Sequence, residues 1–564
     1  MDRFTICDEI PKEAREELGE YSDIVAHLLF YRDIKTKKEA ETFFNHNYQT
    51  SLHNPFLLKD IEKACHRIES AIDNNEKICI YADYDADGIP AAAVLSEFFN
   101  KVHFENFFVY IPHRNKEGFG LNKKAIDQIK DRETDLIITV DCGIADVEEV
   151  EYINELGMEV VITDHHEVNG RGPKAFAIIN PKQNECQYPE KMLCGSGVAF
   201  KLVQALVNRN KFSIQSGWEK TLLDLVGIAT LSDMVPLKGE NRALASFGLT
   251  MLRMSPRKGL HKLFTKTRLN QKSITEDDVG FTIAPRINAA SRMDEPETAL
   301  NLLLTKDYAE ADAVVSHLHK MNDERKGHVA AIVKEVKKAM KDKNEIKIIV
   351  HGNAKWQPSL LGLAASNLSE EYSCPVFLWG RGDGSDLKGS CRSPESHSII
   401  DLLNGLPEGV LITYGGHHQA GGFVVHFEQV DFLFEKLLEV YNKLPTAKDL
   451  SFNIDYILNI EEVNEGLWQS IQRLAPFGIE NPKPVFLFKN VVIDDIRNFG
   501  KRKEHFGAKF SNEGRTIDGI AFYKDRDCWY KNVSVGDVVD VIASIEKDTF
   551  SRFTNFRLRI VDIV

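Results

Sequence analysis

The segment YADYDADGIP, residues 81–90, places Asp83, Asp85, Asp87 and Gly88 within six positions. That spacing, D-x-D-x-D-G, opens an EF-hand calcium loop, whose twelfth position must be a bidentate glutamate. Counted from Asp83, that position is Val94. The residues before the loop, ICIYAD, read as a strand where an EF-hand needs a helix, so the calcium loop is excluded twice. A turn with Asp87 capping the helix that starts near Pro90 accounts for one carboxylate. Three carboxylates this close repel one another, and a counter-cation is the economical explanation.

Three further stretches carry the same kind of chemistry. TDHHE at 163–167 sets His165 and His166 side by side between Asp164 and Glu167, a ligand with orienting carboxylates. VDCG supplies Asp141, and LVGIATLSDMVPL supplies Asp233, which taken alone is equally a loop or cap residue. Carboxylates mixed with one or two imidazoles suit Mn²⁺ or Mg²⁺ better than zinc. Two such ions would clamp the attacking and leaving oxygens of a phosphoryl transfer.

The elements that must position these groups alternate. DIEKACHRIESAID (60–73) reads as a helix and KICIYAD as a strand, followed by PAAAVLSEFFNKV (helix) and FFVYIPHR (strand). KKAIDQIKDR and VEEVEYINELG are helices between the strands TDLIITVDCGI and MEVVITDHHE. Short apolar runs separated by helices argue for a parallel α/β sheet, whose ligands bind beyond the carboxyl ends of the strands. Those ends read YADYDADG, VDCG and TDHHE. Residues 306–342 contain no proline and one glycine, which predicts a long connector helix. A second α/β stretch follows, closing at YGGHHQAGGF. From about 450, five or six short strands suit a small β-barrel of the OB kind. The expected architecture is an N-terminal helical segment (1–55), a parallel-sheet catalytic domain (56–240), a helical region with the connector (241–342), a smaller α/β domain (343–445) and an OB-like barrel (446–564).

Composition sets the outer limits. The chain has 564 residues, 43% hydrophobic and 27% charged, and no apolar run near the ~20 residues of a membrane span. Nine cysteines without a C-x-x-C pair suit neither a disulfide framework nor a zinc site. The acidic N-terminus lacks a signal-peptide core, and the cytoplasm is the expected compartment. A net charge of −14 excludes indiscriminate coating of nucleic acid but leaves room for a local basic track.

The ordered series DYDADG, VDCG, DHH and SDMVPL resembles the DHH phosphoesterase superfamily, and within it the single-strand-specific exonucleases. HNPFLLKDIEKA, PHRNKEGFGLN, LCGSGVAFKL, APRINAASRM, KGSCRS, GGHHQAGGF and LAPFGIENPKPVF extend the resemblance from about residue 20 to the end. The resemblance implies two ions, Mn²⁺ or Mg²⁺. Asp85 and Asp87 would touch them directly, with Asp83 beside them or one layer out. Asp141 would lie between the ions, and His165 and Asp233 would complete the second position. His166 would meet a metal or the scissile phosphate, so that Asp141 and His166 are the catalytic candidates. It also implies that the lobe after the long helix is a DHHA1 domain. There Ser390, Arg392 and His417, with Arg114 and Arg286, would hold substrate phosphates. GSCRS reads as a flexible turn able to form an anion nest. In the barrel, Phe506, Phe510, Phe522, Tyr523 and Arg557 are candidates for a stacking platform, although aromatics at strand spacing are more often core.

Four positions depart from the family pattern. Pro90 stands where Thr or Ser is usual, Gln357 where Trp-His-Pro has its histidine, AASRM replaces AAGRL, and GIENP replaces GxGNP. None is a presumed metal ligand; Gln357 cannot supply the charge of a protonated histidine to the substrate. The implied function is metal-dependent 5′-to-3′ degradation of single-stranded DNA to 5′-mononucleotides in repair and recombination. A helicase and a single-strand-binding protein are the partners the resemblance admits; the chain is expected to be a monomer. An RNA or short-oligonucleotide exonuclease, a cyclic-dinucleotide phosphodiesterase, and a non-catalytic strand-binding scaffold are the competing readings.

Overall fold

The computed structural model describes residues 4–168, 170–341, 343, 345–381, 386–444, 452–500, 503, 505–522, 524, 529, 532–548 and 555–564. The chain forms two compact units. Residues 52–235 and 243–448 make the larger one, and residues 1–51, 236–242 and 449–564 the smaller.

In the larger unit, five strands form a wholly parallel sheet: β1 (Ile78–Ala82), β2 (Phe107–Tyr110), β3 (Leu136–Val140), β4 (Glu159–Thr163) and β5 (Ala177–Ile179). Their spatial order is β2-β1-β3-β4-β5. ICIYA and LIITV are buried on both faces, which is why they read as unbroken apolar runs instead of alternating. Helix α1 (Gly88–Lys101) is buried over almost its whole length and lies against α2 (Gly195–Asn208). Helix α3 (Leu223–Ser232) ends one residue before Asp233. It crosses the helix Gly239–Met254 at a point where Gly227 faces Gly248 so closely that a Cβ on either would meet the other's backbone at 2.3–2.5 Å.

Helix α4 (Ala284–Met293) packs on the connector α5 (Tyr308–Met340), whose 33 residues span about 50 Å. The second sheet comprises β6 (Ile349–Gly352), β7 (Val376–Arg381), β8 (Leu387–Arg392), β9 (Thr413–Gly416) and β10 (Ala420–Val425), in the order β9-β10-β8-β7-β6, with α6 (Pro358–Tyr372) against β7 and β8. This placement corrects one expectation. GSCRS is not a flexible turn: it lies in β8, laddered to β7 on one side and β10 on the other, so its backbone groups belong to the sheet and cannot form an anion nest.

The smaller unit is built on β11 (Tyr456–Leu458), β12 (Phe486–Phe499), β13 (His505–Asn512), β14 (Arg515–Ala521), β15 (Val538–Asp548) and β16 (Asn555–Ile563). Pairing of β12 with β15 closes the last five into a barrel, and β14 runs parallel to β16. Its core is shared with the N-terminal segment: Leu18, Val25, Leu28 and Leu29 pack in one cluster with Phe486, Phe488, Phe506 and Phe510. Arg32, 8% exposed, locks the join, donating from Nε to Asn481 Oδ1 (2.8 Å) and from a terminal nitrogen to the Pro482 carbonyl (2.6 Å).

Candidate active site

The three motifs meet at the carboxyl ends of neighbouring strands. Asp83 leaves β1, Asp141 leaves β3, and Asp164 to His166 leave β4, and each aspartate's N–H donates to a carbonyl at the end of a neighbouring strand: Asp83 N to Val140 O, Asp141 N to Thr163 O and Asp164 N to Ile179 O. Asp141 sits at φ +63°, a left-handed conformation uncommon for a residue with a Cβ and characteristic of functional sites. Gly195, at the start of α2, lies against it; a Cβ there would fall 2.4 Å from Asp141 Oδ1.

The side chains form three overlapping groups, Asp83–Asp85–Asp141, Asp87–His165–Asp233 and Asp141–His165–His166, each with ligand atoms within 4.8 Å of one another. His165 Nε2 is the hub, 3.1 Å from Asp141 Oδ1, 3.9 Å from Asp87 Oδ2 and 3.8 Å from Asp233 Oδ2. Asp87 occupies the N-cap position of α1 but makes no capping bond there. Its carboxylate instead accepts from Gly195 N (2.6 Å) and Ser196 N (2.7 Å), capping α2, while Ser196 Oγ donates to its carbonyl. Asp85 Oδ1 accepts the N–H groups of Asp87 and Gly88 (2.8 and 3.1 Å), closing the DADG turn.

This donor set fits a divalent cation. Asp83 Oδ1 and Asp141 Oδ1 are buried without a hydrogen-bond donor, the latter even with His165 Nε2 at 3.1 Å. Burial, then the neighbouring Asp85, pushes the Asp83 carboxyl well above its ordinary range; burial, then Asp87, does the same to Asp141 and raises Asp233 to about 8. A cluster that cannot stay anionic alone is one that binds positive charge. Burial, ahead of the attraction of Asp87, keeps His165 below the usual histidine range, which favours a neutral imidazole able to act as a ligand. His166 differs: burial opposes its protonation, but its Nδ1 lies 2.7 Å from Asp164 Oδ1 and that carboxylate raises it to about 9. Asp164 is fixed in turn by the N–H groups of Ile144, His165 and His166. Glu167, the other flanking carboxylate, pairs with Lys182 at 2.8 Å instead.

Beside the cluster lies a crowd of arginines. Arg114 stacks over the Tyr84 ring (4.8 Å). Arg392 donates to the Cys391 carbonyl (2.7 Å), and a Cβ on Gly362 would touch its guanidinium. Burial first, and the nearby Arg114 against it, lower Arg392. Arg292, which sequence reasoning passed over, shares this neighbourhood: burial, then Arg114 and Arg325, push it down to about 9, with Tyr84 and Asp85 in its field. Only its position four residues past Asn288, whose Oδ1 accepts from Ala86 N (2.8 Å), becomes informative once the fold is known. Arg286, by contrast, is 7% exposed and turned to Thr282 O (2.6 Å) and His319 Nδ1 (3.2 Å). Ser390 lies in β8 opposite Gly422. His417, at the β9–β10 turn, is exposed; the Glu167 carboxyl is lowered first by its bond to Lys182 and further by His417.

In the barrel, the platform candidates divide. Phe506 and Phe510 are wholly buried core, and Arg557 is spent on Glu546 (3.2 Å) and Asp548 (3.4 Å). Tyr523 lies outside the described residues. Phe522 is 39% exposed and gathers Phe499, His505 and Arg559, whose guanidinium lies 4.0 Å from its ring centroid. Of the sequence candidates, Phe506 and Phe510 point inward, whereas Phe522, just past the end of β14, keeps its ring at the surface.

A parallel sheet whose strand ends converge on a buried carboxylate–imidazole cluster defines a metal-dependent phosphoesterase of the DHH type, and residues 77–230 match the DHH family, N-terminal domain. Residues 454–562 match the RecJ OB domain. The chain belongs to the RecJ family. It is 30% identical over 497 residues to the single-stranded-DNA-specific exonuclease RecJ of Salmonella typhimurium, covering 84% of this chain and 85% of that one. The RecJ of Bacillus subtilis is 36% identical over 505 residues, 89% of this chain; the chain spans only 63% of that relative's length. The crystal structure of Thermus thermophilus RecJ with Mn²⁺ superposes over the whole chain and 79% of its own, with a TM-score of 0.83 at 27% identity. No described helix is long and apolar enough to cross a membrane.

Proposed function

We propose that the chain is a metal-dependent exonuclease that degrades single-stranded DNA from its 5′ end, releasing 5′-mononucleotides. The observation that carries this reading is the pair of buried, donor-less oxygens on Asp83 and Asp141 beside a neutral His165. Asp83, Asp85, Asp87, Asp141, His165 and Asp233 hold two ions, Mn²⁺ or Mg²⁺; the orphaned Oδ1 of Asp83 favours its being a direct ligand. Bound there, the ions supply Lewis acidity and water acidified toward neutral pH. Asp87, pinned by two N–H donors of α2, ties the ligand set to that helix. Asp164 keeps His166 protonated near neutral pH, where the imidazolium stabilises charge building on the phosphate or protonates the leaving oxygen. Arg114, Arg292 and Arg392 grip the terminal phosphate, with Ser390 and His417 at its edge; planar guanidinium forks suit this task. Phe522, the exposed ring of the Phe499–His505–Phe522–Arg559 group, offers stacking to bases of a single strand.

In domain terms, 56–240 is the catalytic lobe, 241–342 the connector region, 343–445 the phosphate-gripping lobe, and 446–564 with 1–55 the strand-holding end. Its setting is DNA repair and recombination in the cytoplasm, an assignment the free thiols of the described cysteines support, with a helicase and a single-strand-binding protein as partners. The test is a time course on single strands labelled at either end, with Mn²⁺ or Mg²⁺. Labelled mononucleotide is expected first from the 5′-labelled strand; earliest loss from the 3′ label, or no degradation, sinks the reading.

A further inference from the structure

Much of the DADG turn holds itself together. Asp85 Oδ1 takes the N–H groups of Asp87 and Gly88, and Gly88 packs so tightly on Asp83 that a Cβ there would fall 2.4 Å from the Asp83 carbonyl oxygen. The turn therefore moves as one piece, with its three carboxylates. One outside anchor is Asp87, whose side chain takes two N–H groups of α2. The other is Ala86, between the two aspartates. Its N–H donates to Asn288 Oδ1 of α4 (2.8 Å), and its carbonyl faces Ser232 Oγ at the end of α3 (3.0 Å). The serine hydroxyl has a single proton and lies closer to Ile228 O, at 2.7 Å, so its hold on the turn is shared. The amide oxygen of Asn288 serves Ala86 alone among the described residues. With Asp87 fixed, the bond from Ala86 to Asn288 decides how the turn pivots about it.

The helix that supplies Asn288 is tied elsewhere too. Arg292 lies four residues on, one turn along α4 and on the same face. Its guanidinium donates to the carbonyl of Ser359, and Ser359 Oγ donates back to the Arg292 carbonyl (3.2 Å). Ser359 is 7% exposed and is the second residue of α6. Gly362, one turn further along α6, lies against the Arg392 guanidinium. A continuous run of bonded groups thus leads from the carboxylate turn, through α4, to the lobe that carries Arg392.

We infer that Asn288 is a positioning residue that sets the register of the metal-binding turn against the seam of α4 with α6. It acts through Ala86 on Asp85 and Asp87, and so fixes the distance between the carboxylates and the phosphate grip. Its consequence for hydrolysis rests on the exonuclease reading; its consequence for metal affinity does not. A phosphate held by the grip must meet the turn in the right place, and a misplacement of about 1 Å costs on the order of 100-fold in rate. Strand affinity is left alone, because the arginines stay where they are.

Asn288→Ala deletes the acceptor, whereas Asn288→Asp keeps an oxygen for the Ala86 N–H. Both are compared with wild type by the melting temperature of the metal-free protein, by Mn²⁺ calorimetry, and by kcat and KM on a ten-nucleotide oligothymidylate. For the alanine variant, Mn²⁺ affinity and kcat are each expected to fall on the order of ten-fold or more, with KM and the metal-free melting temperature held. The aspartate variant must recover most of both losses, since its added charge can only favour a cation. Asn288→Ser, too short to reach Ala86 yet polar, gives the same reading should the alanine chain not fold. Unchanged Mn²⁺ affinity overturns the inference. A lower melting temperature with intact Mn²⁺ affinity, or losses that aspartate fails to restore, mark a packing role and overturn it as well. So does a raised KM at constant kcat, which would make Asn288 part of the grip. If the wild-type protein cleaves no strand, the exonuclease reading falls, and calorimetry and melting still judge Asn288.

Discussion

Asp141 and Asp164 illustrate two different demands on a carboxylate in one pocket. Asp141 has a buried oxygen with no donor and a backbone at φ +63°, so it is built to share a cation. Asp141→Ala is expected to cut hydrolysis on the order of 10³-fold or more while single-strand affinity holds, because the phosphate grip lies on other residues; filter binding beside a nuclease assay decides it. Asp164 has its oxygens filled by three N–H groups and His166, so it orients. Asp164→Asn is expected to lose about 10- to 100-fold in kcat with Mn²⁺ affinity nearly unchanged. The cluster also fixes a pH signature. Asp233 is raised to about 8 in the metal-free fold, above its unfolded value near about 4. Protons held by the folded state are lost as pH rises through that window, so the metal-free fold weakens toward alkaline pH and the cation replaces what the protons supplied. Mn²⁺ should therefore raise the melting temperature more at about pH 8.5 than at about pH 6; a larger gain at the acid end contradicts the assignment.

At the scale of elements, what was legible in the sequence was whatever has a local cause. The apolar runs ICIYA and LIITV, the proline-free stretch of α5 and the carboxylates at strand ends all announce themselves through short-range pattern. Four things did not. Asp87 caps α2, over a hundred residues away, not its own helix, and no spacing rule reaches that far. GSCRS carries the composition of a turn but lies in a central strand, because β7 and β10 supply partners on both sides. Arg292 shows its worth only when α4 is laid beside the DADG turn. The Gly227–Gly248 crossing is equally silent in the sequence, and it positions the end of α3 that presents Asp233. Gly248→Ala is expected to cost about 1–3 kcal/mol, read as a lower melting temperature, and to weaken Mn²⁺ binding by displacing Asp233; a melt without change, or a lower melt with intact metal affinity, would separate packing from positioning.

For the whole molecule, the barrel is not self-sufficient. Leu18, Val25, Leu28 and Leu29 complete its core and Arg32 ties it to Asn481, so a fragment beginning at residue 446 exposes that face. Such a fragment is expected to melt without a cooperative transition, and co-expression with residues 1–51 is expected to restore one; circular dichroism distinguishes the two. The shared core also sets a clock for biosynthesis. The N-terminal helices leave the ribosome first, yet their partner strands from Phe486 onward follow about 435 residues later. At ordinary elongation rates that is roughly 20 to 90 s during which an apolar face waits uncovered while the larger unit folds between its two halves. The nascent chain must therefore shelter this face until the barrel strands are made, and pulse-labelled chains should stay protease-sensitive around Leu18–Leu29 until the strands from Phe486 onward emerge.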